Sequence, residues 1–424
     1  MITFKHIIFL LMFSQCVVTA PHDNYMLTYY EAEDEIISGT QDVDSTILVD
    51  TNNDGKNDTS PVDTSNGENI DMSYDDAYTE IYDMLGIDSM LNSIRHVMGN
   101  DINPGELLDA VKDGNLSKAG KLAVKYIGNN LSKELVSNKA LMIELVSIVL
   151  LGSIFVNLSV SFGNSFVSEN GFYVTYLIMT SLMLVSFQIA LDMVSDSIER
   201  VLVLIRILVP VYAMSMNFVG HTNSSIGMYE VILAGVWLVQ VVILRFILPM
   251  IKFYVIVYLI NNLNREDNFS KMCELINKLV KWMLKTIVVF IAGLNLIKSL
   301  IEPQIDALGR NTISRVMSSI PGGGIMSVLT GTFLGSGLVI KNCIGVAGII
   351  FIGLIVMVPI VKAFLLMVSV KLTGAIIQPV GEKRYVNSME SLSHGVNLLV
   401  QALLSSVVLF VLTIAVMAYS SNGG

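Results

Sequence analysis

The chain has 424 residues, 53% of them hydrophobic and 15% charged, with a mean hydropathy of +0.64. Globular domains carry about 25% charged residues, so the apolar excess exceeds what a soluble core needs and belongs in lipid. The net charge of -10 is concentrated early: between positions 21 and 100 acids outnumber bases roughly nine to one, which excludes nucleic acid and anionic lipid as partners of that region.

Residues 1–20 read as a secretory signal peptide. Lys5 and His6 form a short basic region, Ile7 to Phe13 an apolar run, and Val18-Thr19-Ala20 a small-residue cleavage site. The apolar run is shorter than the roughly 20 residues a membrane span needs. Cys16 lacks the small apolar neighbours of a lipoprotein site, and with Cys273 and Cys343 in membrane-associated stretches no disulfide framework is expected.

Residues 21–72 are rich in Asp, Asn, Ser and Thr and are expected to form an acidic disordered segment. Within it, Asp50-Thr51-Asn52-Asn53-Asp54-Gly55, with Asp58 at the ninth position, matches half of a calcium loop. Pro61 stands at the twelfth position, where a bidentate Glu is needed, so a solvated linker is the better reading and no metal is assigned.

From 73 to 137 the spacing predicts a small helical extracytoplasmic domain. Apolar residues recur at three and four positions through Ile81, Leu85, Met90, Leu91, Ile94 and Met98. Asn103, followed by Pro104 and Glu106, reads as an N-cap, Asn115 opens another helix, and Gly86, Gly99 and Gly114 are breaks.

The remainder, 138–424, reads as an all-α polytopic membrane domain of about 8–10 membrane segments, since only helices satisfy their backbone in lipid without closing a barrel. Apolar stretches lie near 140–162, 172–194, 201–219, 228–248, 250–262, 283–301, 342–358, 360–378 and 396–419. Between 261 and 285, Phe269, Met272, Leu275, Ile276, Leu279 and Trp282 form one apolar face beside Arg265, Lys271, Lys278, Lys281 and Lys285. This predicts an interfacial amphipathic helix on the cytoplasmic side, in agreement with five crossings after an exported N-terminus.

An internal duplication is suggested by two pairs of landmarks. Ile247-Leu248-Pro249-Met250-Ile251-Lys252 echoes Met357-Val358-Pro359-Ile360-Val361-Lys362, and Val209-Pro210 stands to the first as Ile320-Pro321 to the second. The candidate repeats are 172–262 and 283–380. The alternative is the ordinary frequency of proline in membrane helices. The second copy also carries Pro321-Gly322-Gly323-Gly324, a run that breaks a helix and is a candidate pathway or re-entrant element; close packing through Gly331 and Gly335 is the other reading. Pro210, Pro249, Pro321, Gly322, Gly323, Gly324 and Pro359 are therefore the candidate pathway or helix-break residues. If 316–340 crosses fully, Lys383 and Arg384 lie in the cytoplasm and the C-terminus outside; if it is re-entrant, both reverse.

Arg206 and Lys362 lie deepest among the charges within spans, each near a proline, and are the candidate interior charges. His6, His22, His96, His221 and His394 have no metal-ligand spacing, and neither a phosphate loop nor a nucleophile elbow is present. No catalytic role and no cofactor are expected.

The order of Ser319-Ile320-Pro321, Leu338-Val339-Ile340-Lys341-Asn342, Gly345, Gly348, Val358-Pro359-Ile360-Val361-Lys362, Lys371-Leu372, Gln378-Pro379 and Gly381 resembles the stage III sporulation protein AE family. Where the family pattern follows its first proline with Leu-Gly-Arg, this chain has three glycines, which puts any role of that arginine in doubt. The resemblance implies a non-enzymatic multi-pass subunit of the sporulation channel in the mother-cell membrane, required for late forespore development. It further implies, as partners, the other stage III A operon membrane proteins, their ATPase and, indirectly, stage II sporulation protein Q of the forespore, and leaves a homo-oligomer open. A stand-alone small-molecule permease and a membrane scaffold for partner proteins are the alternatives.

Overall fold

A computed structural model describes residues 74–99, 102–161, 165–218, 241–264, 268–290 and 323–420, with short helical pieces at 234–235, 237–239 and 292–293. The expected signal peptide, the expected acidic segment with its half calcium loop, Pro321 and Gly322 lie outside the described residues. Among the described residues every regular element is helical: α1 Tyr74–Met84, α2 Ile87–Met98, α3 Pro104–Lys112, α4 Leu116–Ser161, α5 Ser165–Phe218, α6 Leu248–Leu263, α7 270–290, α8 Gly323–Ile377 and α9 Lys383–Ser420.

The three short helices start and stop where the sequence predicts. Gly86, Gly99 and Gly114 take φ of 59°, 79° and 66°, the left-handed region that glycine enters at least cost. The Asn103 side chain accepts the Gly105 N–H at 3.1 Å, with Pro104 in the first turn of α3, and Asn115 accepts the Lys118 N–H at 3.0 Å. Arg95 Nη2 donates to the same Asn103 Oδ1 at 3.0 Å. Asn103→Ala should therefore cost about 1 kcal/mol, read as faster amide exchange in the first turn of α3 with α2 unchanged. Tyr82 donates to Asp88 at 3.1 Å, and burial together with that bond holds its phenol well above the ordinary tyrosine range.

α1 and α3 pack on α8, and α2 packs on α5. The apolar core of these short helices, including Ile81, Met90, Ile94 and Leu107, is continuous with that of the long ones. Five segments are long and apolar enough to cross a membrane: Lys139–Asn157, Val167–Ser215, Trp237–Leu263, Gly335–Ile377 and Lys383–Leu412. α8 is central, packing on α4, α5 and α9 as well as on the short helices.

The segment pattern differs from the sequence expectation in one respect. The stretches 172–194 and 201–219 are one helix, α5, with Pro210 inside it, and 342–358 and 360–378 are one helix, α8, with Pro359 inside it. A helix that stopped within lipid would orphan up to four carbonyls, whereas an interior proline removes one donor, so continuing is the cheaper solution. At Pro249, in the first turn of α6, the five preceding residues Ile243–Ile247 wind as a π-helix, which loosens the turn ahead of the ring. None of these three prolines ends its helix. From Gly323 onward α8 also runs straight through 340, without a re-entrant turn in the described part.

At about 1.5 Å per residue, the 54 residues of α5 and the 55 of α8 span about 80 Å each. That exceeds the roughly 30 Å hydrocarbon core, so both helices extend beyond it.

Candidate functional site

At one end of the bundle the start of α5, the end of α6 and the start of α9 meet in a buried polar and aromatic junction. Phe172 and Tyr176, one turn apart on α5, face Tyr385 on α9 with ring centroids 5.0 and 6.2 Å away. All three rings are buried. A buried phenol needs a partner for its hydroxyl. Tyr176 Oη donates to the Leu259 carbonyl at 2.7 Å and lies 2.7 Å from Ser388 Oγ, while Tyr385 Oη is 2.6 Å from Thr175 Oγ1. One turn further along, Asn262 Nδ2 donates to Ser391 Oγ at 3.0 Å. Asn261 accepts the Phe269 N–H at 2.8 Å, which ties the residues just before α7 to the end of α6.

Arg384 closes this junction. Its guanidinium lies 3.4 Å from the Phe172 ring centroid, pairs with Glu382 at 2.8 Å, and donates to the Leu263 carbonyl, the last of α6, at 3.3 Å. A cation at a helix C-terminus completes an orphan carbonyl and opposes the dipole there. The turn 378–382 therefore lies at the same end of the bundle as the C-terminus of α6.

Glycines set the distances between these helices. A Cβ at Gly152 on α4 would stand 2.9 Å from Thr175 Cβ and 3.0 Å from Tyr385 Oη, and one at Gly348 on α8 would stand 3.0 Å from Leu208 of α5. A Cβ at Gly395 on α9 would collide with the Val255 side chain.

The candidate interior charges are placed unequally. Arg206 and Lys362 are each only half-buried, whereas Lys341 on α8 has no exposed surface at all. Lys341 follows Gly323 by 18 positions, about 27 Å down a helix that the sequence expected to be interrupted upstream. Lys112 of α3 lies within electrostatic reach of Cys343, two residues on, so the short helices cover α8 near this level. Among the described side chains, Ser336 and Thr373 are the other fully buried polar ones of α8, and Ser388 and Ser406 those of α9.

Pro210 is half-buried, Pro249 exposed and Pro359 buried; Gly323 and Gly324 open α8. The junction was not anticipated from sequence, although Tyr385, Ser388, Ser391 and Gly395 recur at three- and four-residue spacing on α9. No group of three or more metal-ligating side chains occurs among the described residues.

Long continuous apolar helices, five of them with segments able to cross a membrane, define a polytopic helical membrane protein. The chain belongs to the stage III sporulation protein AE family, whose model matches residues 102–421, from α3 to the end of α9. Stage III sporulation protein AE of Bacillus subtilis (strain 168) is 22% identical over 320 residues, covering 75% of this chain and 80% of that relative. No solved structure matches the chain. Membership implies a role in sporulation.

Proposed function

We propose that this protein is a non-enzymatic, multi-pass subunit of the channel joining mother cell and forespore. Its helices enclose or support a path through the mother-cell membrane, and its N-terminal region is exported. The other stage III A operon proteins, their ATPase and, across the intermembrane space, stage II protein Q are its partners. An exported N-terminus followed by three crossings, Lys139–Asn157, Val167–Ser215 and Trp237–Leu263, implies that α6 ends inside; the five crossings expected from sequence give the same parity. The Arg384 to Leu263 bond supports Lys383 and Arg384 lying on that side too, as the positive-inside rule prefers. Gly323 and Gly324, which open α8, then lie toward the outer side.

The observation that carries this reading is Lys341. An ammonium with no exposed surface, at the level where the short helices cover the most apolar helix, is costly to bury and calls for a function that retains it. Replacing a whole buried ion pair by apolar side chains is often neutral, whereas removing one partner costs about 3–5 kcal/mol, so Lys341→Met is read for accumulation and for function separately. The expected result is a protein that accumulates at the wild-type level while forespore development arrests, scored as a loss of heat-resistant spores of at least tenfold. Normal spore yield with Lys341→Met would overturn the proposal.

A further inference from the structure

α7 has three faces rather than the two of an ordinary amphipathic helix. At about 100° per residue, Cys273, Ile276, Val280, Leu284 and Ile287 fall on one arc, and all are buried. Cys273 lies within electrostatic reach of Tyr254 on α6, and Lys281 within reach of His394 on α9, so α6 and α9 are the elements beside α7. A second arc carries Met272, Leu275, Leu279 and Trp282, with Leu275 62% and Trp282 63% exposed. The third carries Lys271, Glu274, Lys278, Lys281 and Lys285. Glu274 pairs with Lys278 at 2.8 Å and Lys271 at 3.6 Å, so it offsets one of four lysine charges.

An outward apolar arc flanked by a net positive arc matches one environment, the boundary where hydrocarbon gives way to anionic headgroups. Trp282 stands where the two arcs meet, the level that tryptophan prefers in membranes. We propose that α7 binds anionic phospholipid, its lysines taking the phosphodiester oxygens while Leu275, Leu279 and Trp282 enter the acyl boundary. Because its buried first face is packed on the bundle, the same helix sets the depth at which the Arg384 end of the bundle sits in the bilayer.

The protein contains two tryptophans, Trp237 and Trp282, which makes the proposal directly testable. Full-length protein carrying Trp237→Phe would be reconstituted into phosphatidylcholine vesicles doped with brominated phosphatidylglycerol or brominated phosphatidylcholine. Trp282 should be quenched by both, with a preference for phosphatidylglycerol of about fivefold or more in 0.1 M salt, the size expected if a single lysine contributes about 1 kcal/mol. The preference should shrink at high salt. Glu274→Gln should increase it, and combined Lys271→Gln, Lys278→Gln and Lys285→Gln should abolish it. Trp237, exposed and about 39 Å along the span from Leu263, should show no headgroup preference in the Trp282→Phe protein. Equal quenching of Trp282 by the two lipids, or no gain with Glu274→Gln, would overturn the proposal. So would quenching by aqueous acrylamide in place of brominated lipid, which would assign the face to a soluble acidic partner.

Discussion

Gly395→Val should leave the protein unable to assemble stably, whereas Gly171→Ala should be nearly silent, although both glycines sit in helices with a side chain pressed against them. In a helix interior alanine is favoured over glycine by about 1 kcal/mol, so each substitution begins with a gain. The net effect then depends on whether the neighbour can yield. At Gly395 the obstructing atom is a γ-methyl of Val255, a β-branched side chain with no exposed surface, and Phe187 closes the other side at 3.3 Å. Neither has a free rotamer to move into, so α6 and α9 must separate, and inserting carbon into a packed core costs about 1–3 kcal/mol even for one methyl. Gly395→Ala should lower stability by about 1–2 kcal/mol net and Gly395→Val by considerably more. At Gly171 the obstructing group is the ring of Phe155, itself 46% exposed and able to swing outward. Thermal unfolding midpoints of the purified proteins in detergent, with membrane accumulation in cells, separate the two sites. Similar losses at both would show that helix spacing at Gly395 is not set by Val255.

Local features were legible in the sequence because they depend on a few adjacent residues. The three left-handed glycines and the Asn103 and Asn115 caps each express a preference of the residue itself. Tertiary features were not. Apolar runs on either side of Pro210 and Pro359 look alike whether the chain turns at the proline or passes through it, and the choice is made by the unsatisfied carbonyls a stop would leave in lipid. Arg206 and Lys362 read as the deepest charges because hydropathy measures distance along the chain; Lys341 is deeper because of what packs around α8. On α7 the apolar face named from sequence largely points outward, with only Ile276 turned in, since cysteine, valine, leucine and isoleucine at 273, 280, 284 and 287 are no more apolar than the residues on the outer arc. The tyrosine junction gave a weak signal, a three-residue recurrence of hydroxyl-bearing side chains, which acquires meaning only when the ends of three helices meet.

Removing the guanidinium of Arg384 should loosen this meeting point selectively. Arg384 stands in the first turn of α9, where the helix dipole disfavours a cation by about 0.3–1 kcal/mol, so other contacts must outweigh that cost. Three are available: the Glu382 carboxylate, the terminal carbonyl of α6 and the face of Phe172. With the side chain only 15% exposed, the stacking contact should be worth about 1–2 kcal/mol and the charged hydrogen bonds about 1.5–3 kcal/mol. Arg384→Met should therefore destabilise by about 2–4 kcal/mol after relief of the dipole term. Arg384→Lys should recover no more than half, because an ammonium cannot fork between Glu382 and Leu263 while lying flat on a ring. Arg384→Glu should be worst, since it sets two carboxylates together against the negative ring face even though the dipole now favours it. A double-mutant cycle with Phe172→Leu isolates the stacking part, with an expected coupling of about 1–2 kcal/mol. Zero coupling, with Arg384→Lys equal to wild type, would mean that α6 is held to α9 and α5 without the guanidinium, by contacts such as the Asn262 to Ser391 and Tyr176 to Leu259 bonds and the packing at Gly395.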